Sequence, residues 1–244
     1  MKNVLLIVAA GKSSRFGGYP KALCVLKNEM NVDNTVKYAR KHFDEVYLGL
    51  NVETAKEYND LKTDAKILSI ETGQGDSLSL LKMIRLIREE DKELEKIYVC
   101  WGDAFFADET PFIQFADKIE DKQFYVACSI DEKPYAWFDV DEEGNVIRSH
   151  FKKIDGEIEE GVHDQSLFCF DIDAYIRYIN EYKDSIGLLN EDYDENETKE
   201  AKLLDLFIYL YEHDNPVKTV LIDKNKVLSF NTREELDRIV EEHC

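Results

Sequence analysis

Proline and glycine are scarce in this 244-residue chain, at 4 and 11, which excludes collagen-like and low-complexity architectures. Long apolar runs are missing too, and none approaches the roughly 20 residues of a membrane span. The opening Met1–Ala10 imitates a signal peptide, since Lys2 is followed by the apolar Val4 to Ala10. It leads into Gly11-Lys12-Ser13-Ser14-Arg15, a poor cleavage region, so a cytoplasmic protein is expected. Cys24, Cys100, Cys128, Cys169 and Cys244 include neither a CxxC pair nor a Cys/His cluster, and three lie in apolar stretches. Buried free thiols are expected there, with no disulfide framework and no zinc site. Positive charge is also short. Lys and Arg number 31 against 51 Asp and Glu, a net charge of −20, which argues against nucleic acid or an anionic membrane as a partner.

Those few cations are unevenly spread. Residues 1–28 hold Lys2, Lys12, Arg15, Lys21 and Lys27 and no carboxylate. A cationic island around a glycine-rich turn, in an otherwise acidic protein, points to a local anion site.

With 44% hydrophobic residues the chain can bury a sizeable core. Asn3–Ala10 reads as a strand buried on both faces. Helix Val32–Phe43, strand Val46–Leu50, a weak helix Glu53–Leu61, strand Lys66–Ile70, helix Ser77–Arg88 and strand Lys96–Trp101 follow. That alternation predicts a mostly parallel sheet with helices on both faces. From Phe124 the pattern changes to strands Phe124–Ile130, Ala136–Val140, Val146–Phe151 and Ser166–Asp171, an antiparallel β insertion. Asp184–Glu200 is acidic and polar and reads as an exposed loop. Helix Leu203–Tyr211, strand Val217–Ile222 and helix Thr232–Glu242, capped by Asn231 or Thr232, close the chain. One domain, residues 1–244, is expected: a nucleotide-binding part (1–123), an inserted acceptor or lid subregion (124–200) and a closing part (201–244).

Three segments carry chemistry by residue type alone. In Leu5–Leu23 a strand runs into a glycine turn, so backbone N–H groups gather at its C-terminal end, where open α/β sheets hold ligands. Gly11 lets the backbone approach a phosphate, and Lys12, Arg15 and Lys21 supply countercharge. Neither GxxxxGK[ST] nor GxGxxG is present. Thr72-Gly73-Gln74-Gly75-Asp76-Ser77 is a glycine-rich turn capped by Asp76 or Ser77, which ordinary helix entry also explains. Asp103 follows a buried strand with Gly102 clearing space before it, where it can hold Mg²⁺ against phosphates or serve simply as a helix cap or turn residue.

The pattern Ala9-Ala10-Gly11-x-x-x-Arg15-x-Gly17-x-x-Pro20-Lys21-x-Leu23 resembles the signature loop of the NTP-transferase superfamily, which includes sugar-phosphate, phosphocholine and molybdenum-cofactor nucleotidyltransferases. The resemblance implies a Rossmann-like, GT-A-type α/β fold. It implies nucleotide contacts for Ala10 and Gly11, β/γ-phosphate contact for Arg15, and α-phosphate contact for Lys21. Gln74, Gly75 and Ser77 become base-side candidates, and Asp103 a metal ligand. Phe230-Asn231-Thr232-Arg233-Glu234-Glu235-Leu236 is similar to the family's C-terminal segment, making Asn231 the second metal ligand, with Arg233 where proline is usual. Pro134–Asp141 is similar to the acceptor-side hairpin, and Lys153 falls where the family's acceptor lysine stands, while Lys152 replaces a glutamate. Trp101, Trp137 and Tyr135 read first as core aromatics, and a cationic acceptor could still use Tyr135 or Trp137 for cation–π contact. The implied activity is Mg²⁺-dependent nucleotidyl transfer from an NTP to a phosphorylated small molecule. Guanylyl transfer to the molybdenum cofactor and a non-catalytic nucleotide-sugar-binding protein are the alternatives. The base, the acceptor and any homo-oligomer are left open.

Overall fold

The structure, a computed structural model, describes residues 2–11, 16, 18–26, 29–57, 63–120, 123–230 and 232–243. The chain opens with β1 (Val4–Ala9), makes a 3-10 turn at Lys21–Leu23 and a short hairpin of β2 (Val25–Leu26) and β3 (Glu29–Met30), and enters α1 (Asn31–Ala39). β4 (Glu45–Asn51), α2 (Val52–Glu57), β5 (Lys66–Ile70), α3 (Asp76–Glu90) and β6 (Lys96–Trp101) continue the alternation. β7 (Ala104–Phe106), α4 (Thr110–Ala116), β8 (Phe124–Glu132), β9 (Ala136–Val140), β10 (Val146–Phe151) and α5 (Lys152–Asp155) come next. The chain closes with β11 (Glu160–Asp171), α6 (Ile172–Ser185), α7 (Leu203–Glu212), β12 (Val217–Leu221), β13 (Val227–Ser229) and α8 (Arg233–His243).

Among the described residues nine strands share one sheet, with β12 and β8 branching from the path β10-β9-β11-β6-β1-β4-β5. β6, β1, β4 and β5 are parallel. β11 joins β6 antiparallel, from Leu167 against Cys100 to Asp171 against Lys96. The antiparallel strands therefore extend the parallel sheet. β11 begins six residues before the strand expected at Ser166, because its early half is polar and pairs with the rim of β8.

Side chains alternate across the sheet as the pleat requires. Val4 and Leu6 of β1 enter a core with α3, α6 and α7, while Leu5 and Ile7 enter the opposite core with α1 and α4. A third cluster joins Cys24, Leu26, Phe105 and Phe230 to Leu236 and Ile239 of α8, with Phe16 packed against it. Cys24, Cys100, Cys128 and Cys169 are free and buried. No helix among the described residues is long and apolar enough to cross a membrane.

Candidate active site

Lys21 opens the 3-10 turn after the basic loop, and burial of Ala22 and Leu23 fixes that turn to the sheet. Asp103 lies just beyond β6, where the chain turns back into β7. Gly102 makes that turn possible: its N–H donates to Val8 O at 2.8 Å, and a Cβ there would sit 2.8 Å from Ala9 Cβ. From α1, buried Asn31 donates to the carbonyls of Gly102 (3.1 Å) and Ala104 (2.9 Å), pinning both sides of Asp103. The outcome is an ion pair between Lys21 Nζ and Asp103 Oδ2, with the ammonium also donating to Phe230 O at 3.2 Å.

The pair lines a cleft of about 640 Å³ at the C-terminal ends of β1 and β6. Gly11 stands on its floor with open space where a side chain would project. Thr72, Gly73, Gly75 and Asp76 form a second wall, with Trp101 and Gly102 beside Asp103. A neighbouring hollow of about 720 Å³ shares Gly11, Thr72 and Tyr193. Ala10 is buried, and its carbonyl accepts from Thr72 Oγ1 at 3.3 Å and Asn51 Nδ2 at 3.4 Å, tying the strand end to its neighbours.

The third wall is the segment expected as an exposed loop. Residues 191–202 form a strap laid over the glycine-rich turn. Gln74 N donates to Glu191 O (2.8 Å), Tyr193 N to Thr72 O (2.9 Å), Ala201 N to Gln74 O (3.0 Å) and Ser77 N to Ala201 O (3.1 Å). Tyr193, Glu200 and Lys202 thereby line the cleft. No motif marks them, because the strap is ordered by backbone pairing. Asp76 accepts from Leu203 N at 2.8 Å. It is open to solvent on one side yet packed round by protein, and the resulting desolvation pushes its carboxyl up to about 6.

The strap engages Gln74. Its amide donates to Glu197 O (3.2 Å) and Lys199 O (3.0 Å) and accepts from Asp194 N (2.9 Å). A buried amide so engaged holds the strap to the glycine-rich turn. Ser77 is likewise fully buried on α3, away from the cleft. Gln74→Ala is expected to destabilise the protein by about 2–3 kcal/mol, from three lost hydrogen bonds at about 1 kcal/mol each. Preference among NTPs should not change; denaturant melts and a nucleotide competition assay check this.

Tyr135, Trp137 and Lys153 of the acceptor-side hairpin do not line this cleft. Trp137 is buried, its ring stacked on His150 at 5.2 Å between centroids and 10° between planes, so its face is unavailable to a cation. Tyr135 is exposed and Lys153 lies on exposed α5. Asp164, at a bulge in β11, interacts electrostatically with Asp103. Burial pushes its carboxyl up, opposed by His163 and reinforced by Asp103. Lys12, Arg15 and Asn231 lie outside the described residues. Thr232 and Glu235 form a reciprocal capping box at α8 (3.1 and 3.2 Å), so Thr232 is the cap.

The family match makes this protein, with its doubly covered sheet, a nucleotidyltransferase. The chain belongs to the MobA-like NTP transferase domain family, whose model matches residues 5–155. Among curated proteins no sequence matches it. Solved structures of similar fold include the inositol-1-phosphate CTP transferase from T. maritima, with TM-score 0.70 and 16% identity, covering 99% of this chain and 97% of that one. HddC from Yersinia pseudotuberculosis has TM-score 0.68 and 13% identity, covering 99% of each chain. CTP:phosphocholine cytidylyltransferase from Streptococcus pneumoniae has TM-score 0.68 and 10% identity, again over 99% of each.

Proposed function

We propose that this single-domain protein moves a nucleoside monophosphate from an NTP to a phosphorylated small molecule, a sugar 1-phosphate or a phosphocholine-like compound, releasing pyrophosphate. One observation carries the reading: Lys21 and Asp103, 82 residues apart, meet in one cleft at the ends of β1 and β6. The acceptors of two similar structures, inositol 1-phosphate and phosphocholine, support the substrate class.

An acceptor phosphate is already anionic near neutral pH, since its second pKa is about 6, so no general base is needed. Its oxygen attacks the α-phosphorus in line. A new P–O bond forms as the α–β bridging bond breaks, and the electron pair leaves with pyrophosphate. Lys21 neutralises charge on the α-phosphoryl group, and the open backbone at Gly11 lets the phosphates lie close to the strand end. Among the described residues no group of three His, Cys, Asp or Glu forms a metal cage. Asp103 therefore fits an ion such as Mg²⁺ that takes one or two carboxylates and completes its shell with phosphates and water; Asn231 is the proposed second ligand. Such an ion supplies Lewis-acid charge neutralisation on the phosphates.

Each of four NTPs paired with phosphocholine, inositol 1-phosphate, sugar 1-phosphates and the molybdenum cofactor should identify the reaction by pyrophosphate release. At least one pair is expected to turn over with Mg²⁺ and to stop with EDTA. Nucleotide binding without release by any pair would mark a binding protein instead.

A further inference from the structure

We propose that Lys202 receives the phosphate of the acceptor, reaching the cleft from the sheet face opposite Lys21. The inference rests on the transferase reading of the cleft and adds a residue that no motif identifies.

The two lysines enter from different sides. Lys21 precedes Ala22 and Leu23, which pack into the core shared with α1 and α4. Lys202 precedes Leu203, which packs into the core shared with α3 and α6. Both line the same cleft. In-line displacement puts the entering and leaving oxygens on opposite sides of the phosphorus, so a reaction between two phosphates needs positive charge on both sides. Lys21 meets the nucleotide on one. Lys202 is the cation on the other wall among the residues lining the cleft.

The root of Lys202 is fixed in place. Ala201 before it exchanges backbone hydrogen bonds with Gln74 (3.0 Å) and Ser77 (3.1 Å), and Leu203 after it donates to Asp76 Oδ1 (2.8 Å). Its ammonium makes no hydrogen bond or ion pair with any described residue. Asp205, one turn further on, is half-buried; desolvation pushes its carboxyl up and Lys202 draws it partly back. Glu200 lines the same wall, so without Lys202 the only charge that wall turned to an incoming phosphate would be negative. A tethered, uncommitted ammonium beside the reacting centre is arranged to take a phosphate oxygen.

Two measurements test this. With the fastest NTP–acceptor pair, Lys202→Ala should raise the acceptor KM about 10–100-fold, as loss of one charge-assisted bond predicts. The NTP KM should stay within about twofold, and Lys202→Arg should recover most of the loss. A shift in the NTP KM instead, or in neither, overturns the assignment. The second measurement needs no turnover. After reductive ¹³C-methylation, the Lys202 dimethyl NMR signal, identified by its loss in Lys202→Arg, should move with phosphocholine or inositol 1-phosphate and stay still with choline or inositol. An unmoved signal in all four also overturns it. A protein that turns over no pair fails as a transferase, and the methyl signal still decides whether Lys202 binds phosphate.

Discussion

Lys21→Ala and Asp103→Ala are each expected to lower kcat by on the order of 100–1,000-fold while leaving the fold intact. That loss is the usual consequence of removing one preorganised group from a developing charge. Stability should move far less than activity, because the side chains are still 17% and 30% exposed and water can solvate the charge left behind. The double variant should be little worse than either single one, since groups acting on one transition state are not additive. Pyrophosphate-release kinetics and thermal melts check both halves. Near-normal release by either variant removes the transferase assignment, and a collapse of the melt would show the pair to be structural.

Gly75→Ala should have the largest effect on stability, roughly 3 kcal/mol, combining left-handed strain with a backbone collision. Gly75 has φ +103°, and a Cβ there would lie 2.7 Å from Ala201 N and 2.8 Å from Ala201 C. Both are backbone atoms of the strap, which cannot yield like the tip of a flexible side chain. The strap must lift, and Tyr193 and Lys202 lift with it. A fall in Tm on the order of 10 °C is expected for a protein of this size, together with weaker nucleotide binding. Gly156→Ala is the control. Gly156 has φ +93° with nothing within 4 Å of the added carbon, so it carries the dihedral strain without the collision. Equal losses in the two variants would mean that the strap contact is unimportant.

What the amino-acid order determined by itself is the central layer. β1, β4 and β6 are continuous apolar runs because both of their faces are covered, and such runs are visible without a partner. The basic turn with Lys21, and Gly102-Asp103 behind the strand, are local patterns whose chemistry follows from residue type. Packing decided the rest. β7 and β13 are three residues each and exist because Ala104–Phe106 and Ser229–Val227 find one another across the chain. The strap reads as loop because it is polar, and its order comes from backbone bonds such as the 123-residue reach from Gln74 to Glu197. Side-chain type shows neither which backbone groups will meet nor which way a side chain will turn. Gln74 and Trp137 thus became supports of the structure, and Lys202, anonymous in an acidic stretch, was carried to the wall of the cleft.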